Sequence, residues 1–132
     1  MVLTFKNRIN FCTYSSMRSK KIYSVYVIEL SKRVWTESAK FRRENPQFNG
    51  TLECLYVGMT SRTPQIRFDQ HTKGVKSKKG HSLASSLVKK YGMYLRPSLY
   101  NHIDKMSKTQ ALKMEQELTL TLKRQRYAVW SN

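Results

Sequence analysis

Apolar and polar positions along the chain fall into runs with different periods. Tyr23 to Leu30 (YSVYVIEL) is β-branched, aromatic and almost continuously apolar, which predicts a buried or half-buried strand. Leu52 to Gly58 (LECLYVG) predicts a second. Between them, Lys32 to Asn49 is polar, carries Lys32, Arg33, Lys40, Arg42 and Arg43, and closes on the turn signals Asn45-Pro46 and Asn49-Gly50. The simplest pairing of the two strands is an antiparallel hairpin whose long connection has room for a helical piece.

Helical spacing takes over after the second strand. Thr63-Pro64 sets a hydroxyl at the N-cap and proline at the first helical position, predicting a helix from Pro64 to about His71 or Lys73. Leu83, Leu87, Val88 and Tyr91 predict another over Ser82–Tyr91, with Gly92 as its C′ residue. Tyr94 to Ile103, interrupted by Pro97, reads as an edge strand or irregular extended segment. Ser107 and Gln110 form a capping box, after which Ala111, Glu115, Leu118 and Leu122 fall on one stripe of a helix of about 18 residues. Leu118, Leu120 and Leu122 alternate with Thr119 and Thr121, a strand-like pattern that the cap and the length override.

At 132 residues the chain has the length of one domain, and 39% hydrophobic content is enough for a core. Charge changes the picture most. The 25 Lys and Arg against 8 Asp and Glu give +17, which calls for a polyanionic partner. No acid lies between Asp69 and Asp104, while Lys73, Lys76, Lys78, Lys79, Lys89, Lys90 and Arg96 do, making this a candidate phosphate-tracking stretch. The first 21 residues are basic and acid-free, which suits a nucleic-acid-binding arm and superficially an organellar presequence. Cys12 and Cys54 are too few for a disulfide framework or a zinc site and fit a reducing, intracellular compartment, cytoplasmic or nucleoid-associated. No apolar run reaches the ~18 residues of a membrane span, so no membrane partner is expected.

Candidate chemistry sits in the structured part. Glu115 interrupts an apolar stripe, where burying an unpaired carboxylate costs roughly several kcal/mol. It needs a salt bridge to one of the many cations or a hard metal ion; Glu117, about 200° around the helix, faces water instead. Arg67 and His71 stand at i and i+4 on one helical face, a pairing that suits a shared anionic ligand. Tyr26 and Tyr56 lie within the two strands, where a tyrosine is ordinarily a core aromatic with a satisfied hydroxyl.

Taken in order, Val25-Tyr26-Val27, Leu55-Tyr56-Val57-Gly58, Thr60, Arg67-x-x-x-His71 and Ala111-x-x-x-Glu115-x-x-Leu118 resemble the GIY-YIG nuclease family over most of the chain. The resemblance implies a small α/β (α+β) domain over 23–132, with a mainly antiparallel three-stranded sheet flanked by helices, the arm at 1–22 and an insertion at 32–50. It also implies a DNA endonuclease in which Glu115 holds one Mg²⁺ or Mn²⁺, Arg67 clamps the scissile phosphate, and Tyr26 or Tyr56 orients or deprotonates the attacking water. His71 is then a proton relay or phosphate donor, and Asn132 resembles an asparagine that follows the glutamate. Gly58, Thr60, Lys73, Lys76, Lys78, Lys79, Lys89, Lys90 and Asn132 are the expected nucleic-acid contacts, and the surrounding cations are expected to ease ionisation of the tyrosine.

Departures from the family pattern are Ser24-Val25 in place of Gly-Ile, Met59 after Gly58, the long connection at 32–50, and an Arg67 about one residue later than expected. The 32–50 insertion is accordingly a candidate DNA- or partner-contacting element. One site per chain implies nicking by a monomer, or double-strand cutting by a weak dimer; targeting by a protein partner stays open. The alternative is a catalytically silent, basic nucleic-acid-binding module of the same fold.

Overall fold

The computed structural model describes residues 21–73 and 83–131. Cys12, Lys76, Lys78, Lys79, Asn132 and nearly all of the 1–22 arm lie outside them. The elements are β1 (Ser24–Leu30), α1 (Arg33–Glu37), α2 (Ala39–Arg43), β2 (Cys54–Thr60), α3 (Pro64–Thr72), α4 (Leu83–Tyr91), β3 (Gly92–Leu95), a 3₁₀ turn at Pro97–Leu99, α5 (Lys108–Arg124) and β4 (Ala128–Ser131). They form one α+β unit, a sheet flanked by helices. Among the described residues no helix is long and apolar enough to cross a membrane.

The sheet has four strands, not three, in the order β3-β1-β2-β4. Antiparallel pairs β1–β2 and β1–β3 are joined by a parallel β2–β4 pair, so the sheet is mixed. β4 escapes the sequence pattern because it is four residues long and follows a reversal within three residues of α5's end. That reversal puts Arg126 at φ 78°, and Tyr127 N–H reaches back to the Leu122 carbonyl at 3.1 Å. Central position explains β1's composition: Val25, Tyr26, Val27 and Ile28 are buried in succession because both faces of the sheet are covered.

The helical starts are as expected. Thr63 accepts from Ile66 N–H at 3.2 Å ahead of Pro64. Ser107 and Gln110 make the reciprocal capping box at 3.3 and 3.2 Å. Gly92 differs. It opens β3 without adopting positive φ, and its missing side chain matters because a Cβ there would stand 2.5 Å from the Val88 carbonyl oxygen.

The 32–50 insertion is part of the core. Val34 and Phe41 are fully buried, and Trp35 packs against Phe41 and Phe48 with centroids 6.4 and 4.8 Å apart. Fully buried Asn45 donates to the Phe41 carbonyl at 2.8 Å and accepts from Val129 N–H at 2.7 Å, and Gln47 donates to the Tyr127 carbonyl at 2.9 Å. The insertion therefore holds β4 in place.

Because only glycine adopts Arg126's backbone without a Cβ penalty, Arg126→Gly is expected to stabilise the fold by about 1 kcal/mol, seen as a Tm rise of a few degrees in a thermal melt. A lower Tm would mean that the arginine side chain contributes more than the strain costs.

Candidate active site

Ladder register builds the site from its floor. Tyr26 pairs with Gly58 and Ile28 with Tyr56, so alternation sends Tyr26, Tyr56 and the Gly58 position to the same face. Gly58 is required there: a Cβ would lie 2.6 Å from the Tyr26 hydroxyl oxygen and 2.9 Å from a Tyr56 ring carbon. The two tyrosine rings are 6.2 Å apart and tilted by 50°.

α3 supplies the opposite wall. It begins four residues beyond Thr60, and one helical turn separates Arg67 from His71. His71 is 4% exposed; its Nε2 lies 3.3 Å from the Tyr26 hydroxyl, and its ring meets Tyr56 edge-on at 5.9 Å. Half-buried Arg67 donates to Gln70 at 3.4 Å and lies close enough for its charge to act on both Tyr26 and His71. Four side chains separated by up to 45 residues thus form one cluster.

Burial dominates the electrostatics. It raises the Tyr26 phenol well above its ordinary value, Tyr56 adds to the rise, and the Arg67 charge only partly opposes it. The sequence-based expectation that cations would ease ionisation is therefore reversed, since one guanidinium does not outweigh desolvation of a phenol 1% exposed. His71 is pushed down to about 4 by burial and then by Arg67, so it is neutral at pH 7. A neutral imidazole with its proton on Nδ1 leaves Nε2 free to accept the Tyr26 O–H.

Glu115 lies on the buried stripe of α5 with Ala111, Leu118 and Leu122, 3% exposed, while Glu117 is exposed. Among the described residues no salt bridge satisfies it and Oε2 has no hydrogen-bond partner, and burial lifts the carboxyl to about 7. A dry, orphaned carboxylate oxygen fits a hard cation. Among the described residues no group of three or more His, Cys, Asp or Glu gathers, so an ion there would take one protein carboxylate and complete its shell with water and phosphate oxygens.

The other expected contacts diverge. Thr60 is buried and accepts from Arg62 N–H at 3.0 Å, which shapes the turn into α3. Lys73 and Lys89 are exposed, whereas Lys90 is partly engaged by Glu37 at 3.5 Å and by the Tyr91 ring at 5.3 Å. Sequence reasoning did not single out Arg62, Lys105 or Lys108, which the strand pairings bring to the end of the sheet bearing Thr60; only knowledge of the register reveals them. A groove of about 680 Å³ along α5, lined by Ile103, Met106, Met114 and Leu118 among others, contains none of the site residues. No family model, curated protein or solved structure matches the chain.

Glu115's contribution to stability is intact below the ordinary carboxylate value of 4.5 and is lost as pH rises to about 7. Glu115→Gln should therefore raise stability at pH 8 by up to about 3 kcal/mol and change it little near pH 5, as followed by urea denaturation. A pH-independent difference would show that the carboxylate is not desolvated. Gly58→Ala should cost about 1–3 kcal/mol by forcing Tyr26 and Tyr56 aside; an unchanged Tm and unchanged tyrosine near-ultraviolet circular dichroism would contradict the close packing.

Proposed function

We propose that the chain is a GIY-YIG-type endonuclease that hydrolyses DNA phosphodiesters with one divalent cation. The observation that carries this reading is spatial. Tyr26, Tyr56, Arg67 and His71, an ordered series along the chain, converge over Gly58, where chance core packing has no use for an arginine and a neutral histidine against a buried phenol. Orphaned Glu115 adds the carboxylate that the chemistry requires.

Arg67 receives the scissile phosphate, since a guanidinium matches two phosphate oxygens at once. Its fixed charge persists through the reaction and opposes the charge gathering on the phosphoryl oxygens. Tyr26 orients the attacking water. As the water oxygen bonds to phosphorus, its proton passes to the Tyr26 oxygen while the phenol's own proton passes to His71 Nε2. No free phenolate forms, which agrees with burial holding that phenol protonated. Tyr56 braces both partners through its ring contacts at 6.2 and 5.9 Å. Glu115 would hold a Mg²⁺ or Mn²⁺, which supplies charge stabilisation to the leaving 3′-oxygen and the non-bridging oxygens. DNA as substrate also accounts for the +17 charge and implies an intracellular, nucleoid-associated setting.

Conversion of supercoiled plasmid to nicked circles should require Mg²⁺ or Mn²⁺. Glu115→Gln and Tyr26→Phe should each slow it by about 10²-fold or more. Independently of turnover, Mn²⁺ should raise the Tm of the wild type and not of Glu115→Gln. If wild type and variant both retard the plasmid without cutting it, the chain is instead a silent binding module.

A further inference from the structure

Strand pairing decides which surface borders the site. Ser24 pairs with Thr60, so the segment before β1 and the turn carrying Arg62 both leave the sheet at this end. Tyr23 bridges to Met106 in antiparallel sense, through hydrogen bonds of 2.7 and 2.9 Å. Lys105 and Lys108 therefore flank the same point, with Lys21 on the facing segment. All four cations are exposed, and among the described residues none forms an ion pair. α3 and α5 both begin at this end with no acid in their first turns, which adds the partial positive charge of two helix starts.

The opposite end of the sheet holds half of the chain's eight acids. Glu29, Glu37, Glu44 and Glu53 all lie towards it, and they pair with Arg96 at 2.7 and 3.6 Å, Arg33 at 2.9 Å and Lys90 at 3.5 Å, or leave a carbonyl for Lys123 at 2.9 Å. The elements that begin at the site end carry Asp69 on α3, which accepts from Gln65 at 3.1 Å, and are preceded by exposed Asp104 before α5. At the far end Arg33, Lys90 and Arg96 are paired while Lys40, Arg43, Arg124 and Arg126 are exposed; among the described residues the four site-end cations form no ion pair.

We propose that duplex DNA on one side of the cleaved bond runs across this end of the sheet, its phosphates held by Lys21, Arg62, Lys105 and Lys108. The inference rests on the nuclease reading for the position of the cleaved bond, and on charge and register for the path. It adds the border of Thr60 to the expected contacts, most of the 73–90 stretch lying outside the described residues.

The test compares two quadruple variants of equal net charge. Lys21→Gln/Arg62→Gln/Lys105→Gln/Lys108→Gln removes the site-end cations. Lys40→Gln/Arg43→Gln/Arg124→Gln/Arg126→Gln removes four exposed cations from the other end. Binding to a fluorescein-labelled duplex of about 20 base pairs is followed by anisotropy in EDTA, from about 50 to 200 mM salt, with Tm confirming that each variant is folded. The site-end variant should lose at least about tenfold in affinity at 150 mM salt, and its slope of log K against log salt should become shallower by about 3–4. The far-end variant should lose less than about threefold. Equal losses, a greater loss in the far-end variant, or no binding by the wild type would overturn the proposal. Because binding is read without metal, a wild type that binds through this surface yet never cuts plasmid would refute the nuclease reading alone; metal-dependent cutting with binding indifferent to these residues would refute the surface alone.

Discussion

The pairing of Tyr26 with Gly58 is the constraint from which the site follows. A glycine directly across the ladder leaves a space that the Tyr26 phenol and the Tyr56 ring enter together, and any Cβ would close it. The register is over-determined, because a slip of one residue would send Tyr26 and Tyr56 to the opposite face. Since β1 and β2 are both central and buried on both faces, such a slip would also misplace Val25, Val27, Leu55 and Val57. A short turn then carries the chain from Thr60 to Pro64, so the register also sets where α3 starts and hence where Arg67 and His71 stand.

Burial gives the titratable side chains of these elements a common electrostatic character. Burial raises Tyr26, lowers His71 and lifts Glu115 to about 7, each time toward the neutral form, while Arg67 keeps its charge. Arg67 is thus a cation beside the neutral phenol and imidazole of Tyr26 and His71, with no carboxylate paired to the guanidinium among the described residues. A protein selected only for stability would have paired Arg67 or replaced Glu115 with an aliphatic residue. Retaining both costs stability, and this cost is the physical content of the case for a ligand that is anionic towards Arg67 and cationic towards Glu115.

Much of this was legible in the residues because local signals agreed with the final packing. The two apolar strands, the Thr63-Pro64 start, the Ser107–Gln110 box and the stripe carrying Glu115 depend on neighbours close in sequence. What was hidden depends on distant partners. β4 is only four residues long and owes its place to Asn45 and Gln47, some 80 residues away, so no window around Ala128 shows it. The insertion read as a polar loop because its apolar content, Val34, Trp35, Phe41 and Phe48, is spaced for two one-turn helices and a cluster, not for one period. Gly92 was expected as a helix cap for its conformational freedom and is instead needed for lack of bulk against the Val88 carbonyl. The shift of Tyr26 was expected in the opposite direction because composition counts cations but not how deeply a phenol is buried.

The same long-range contacts explain how a chain of +17 stays folded while keeping positive charge where it can be used. Half of its eight acids lie towards one end, where Glu37 joins α1 to α4 through Arg33, Lys90 and the Tyr91 hydroxyl, and Glu29 and Glu53 hold Arg96. Exposed ion pairs of this kind contribute little individually, but here they offset local repulsion next to the insertion that clamps β4. Asn45 reinforces that end without charge, being fully buried and bonded on both sides. The end that bears Thr60 and the starts of α3 and α5 carries Asp69 and Asp104, yet among the described residues its Lys21, Arg62, Lys105 and Lys108 form no ion pair. The proposed DNA path rests on that arrangement, since a phosphate backbone laid there would relieve the repulsion among these cations.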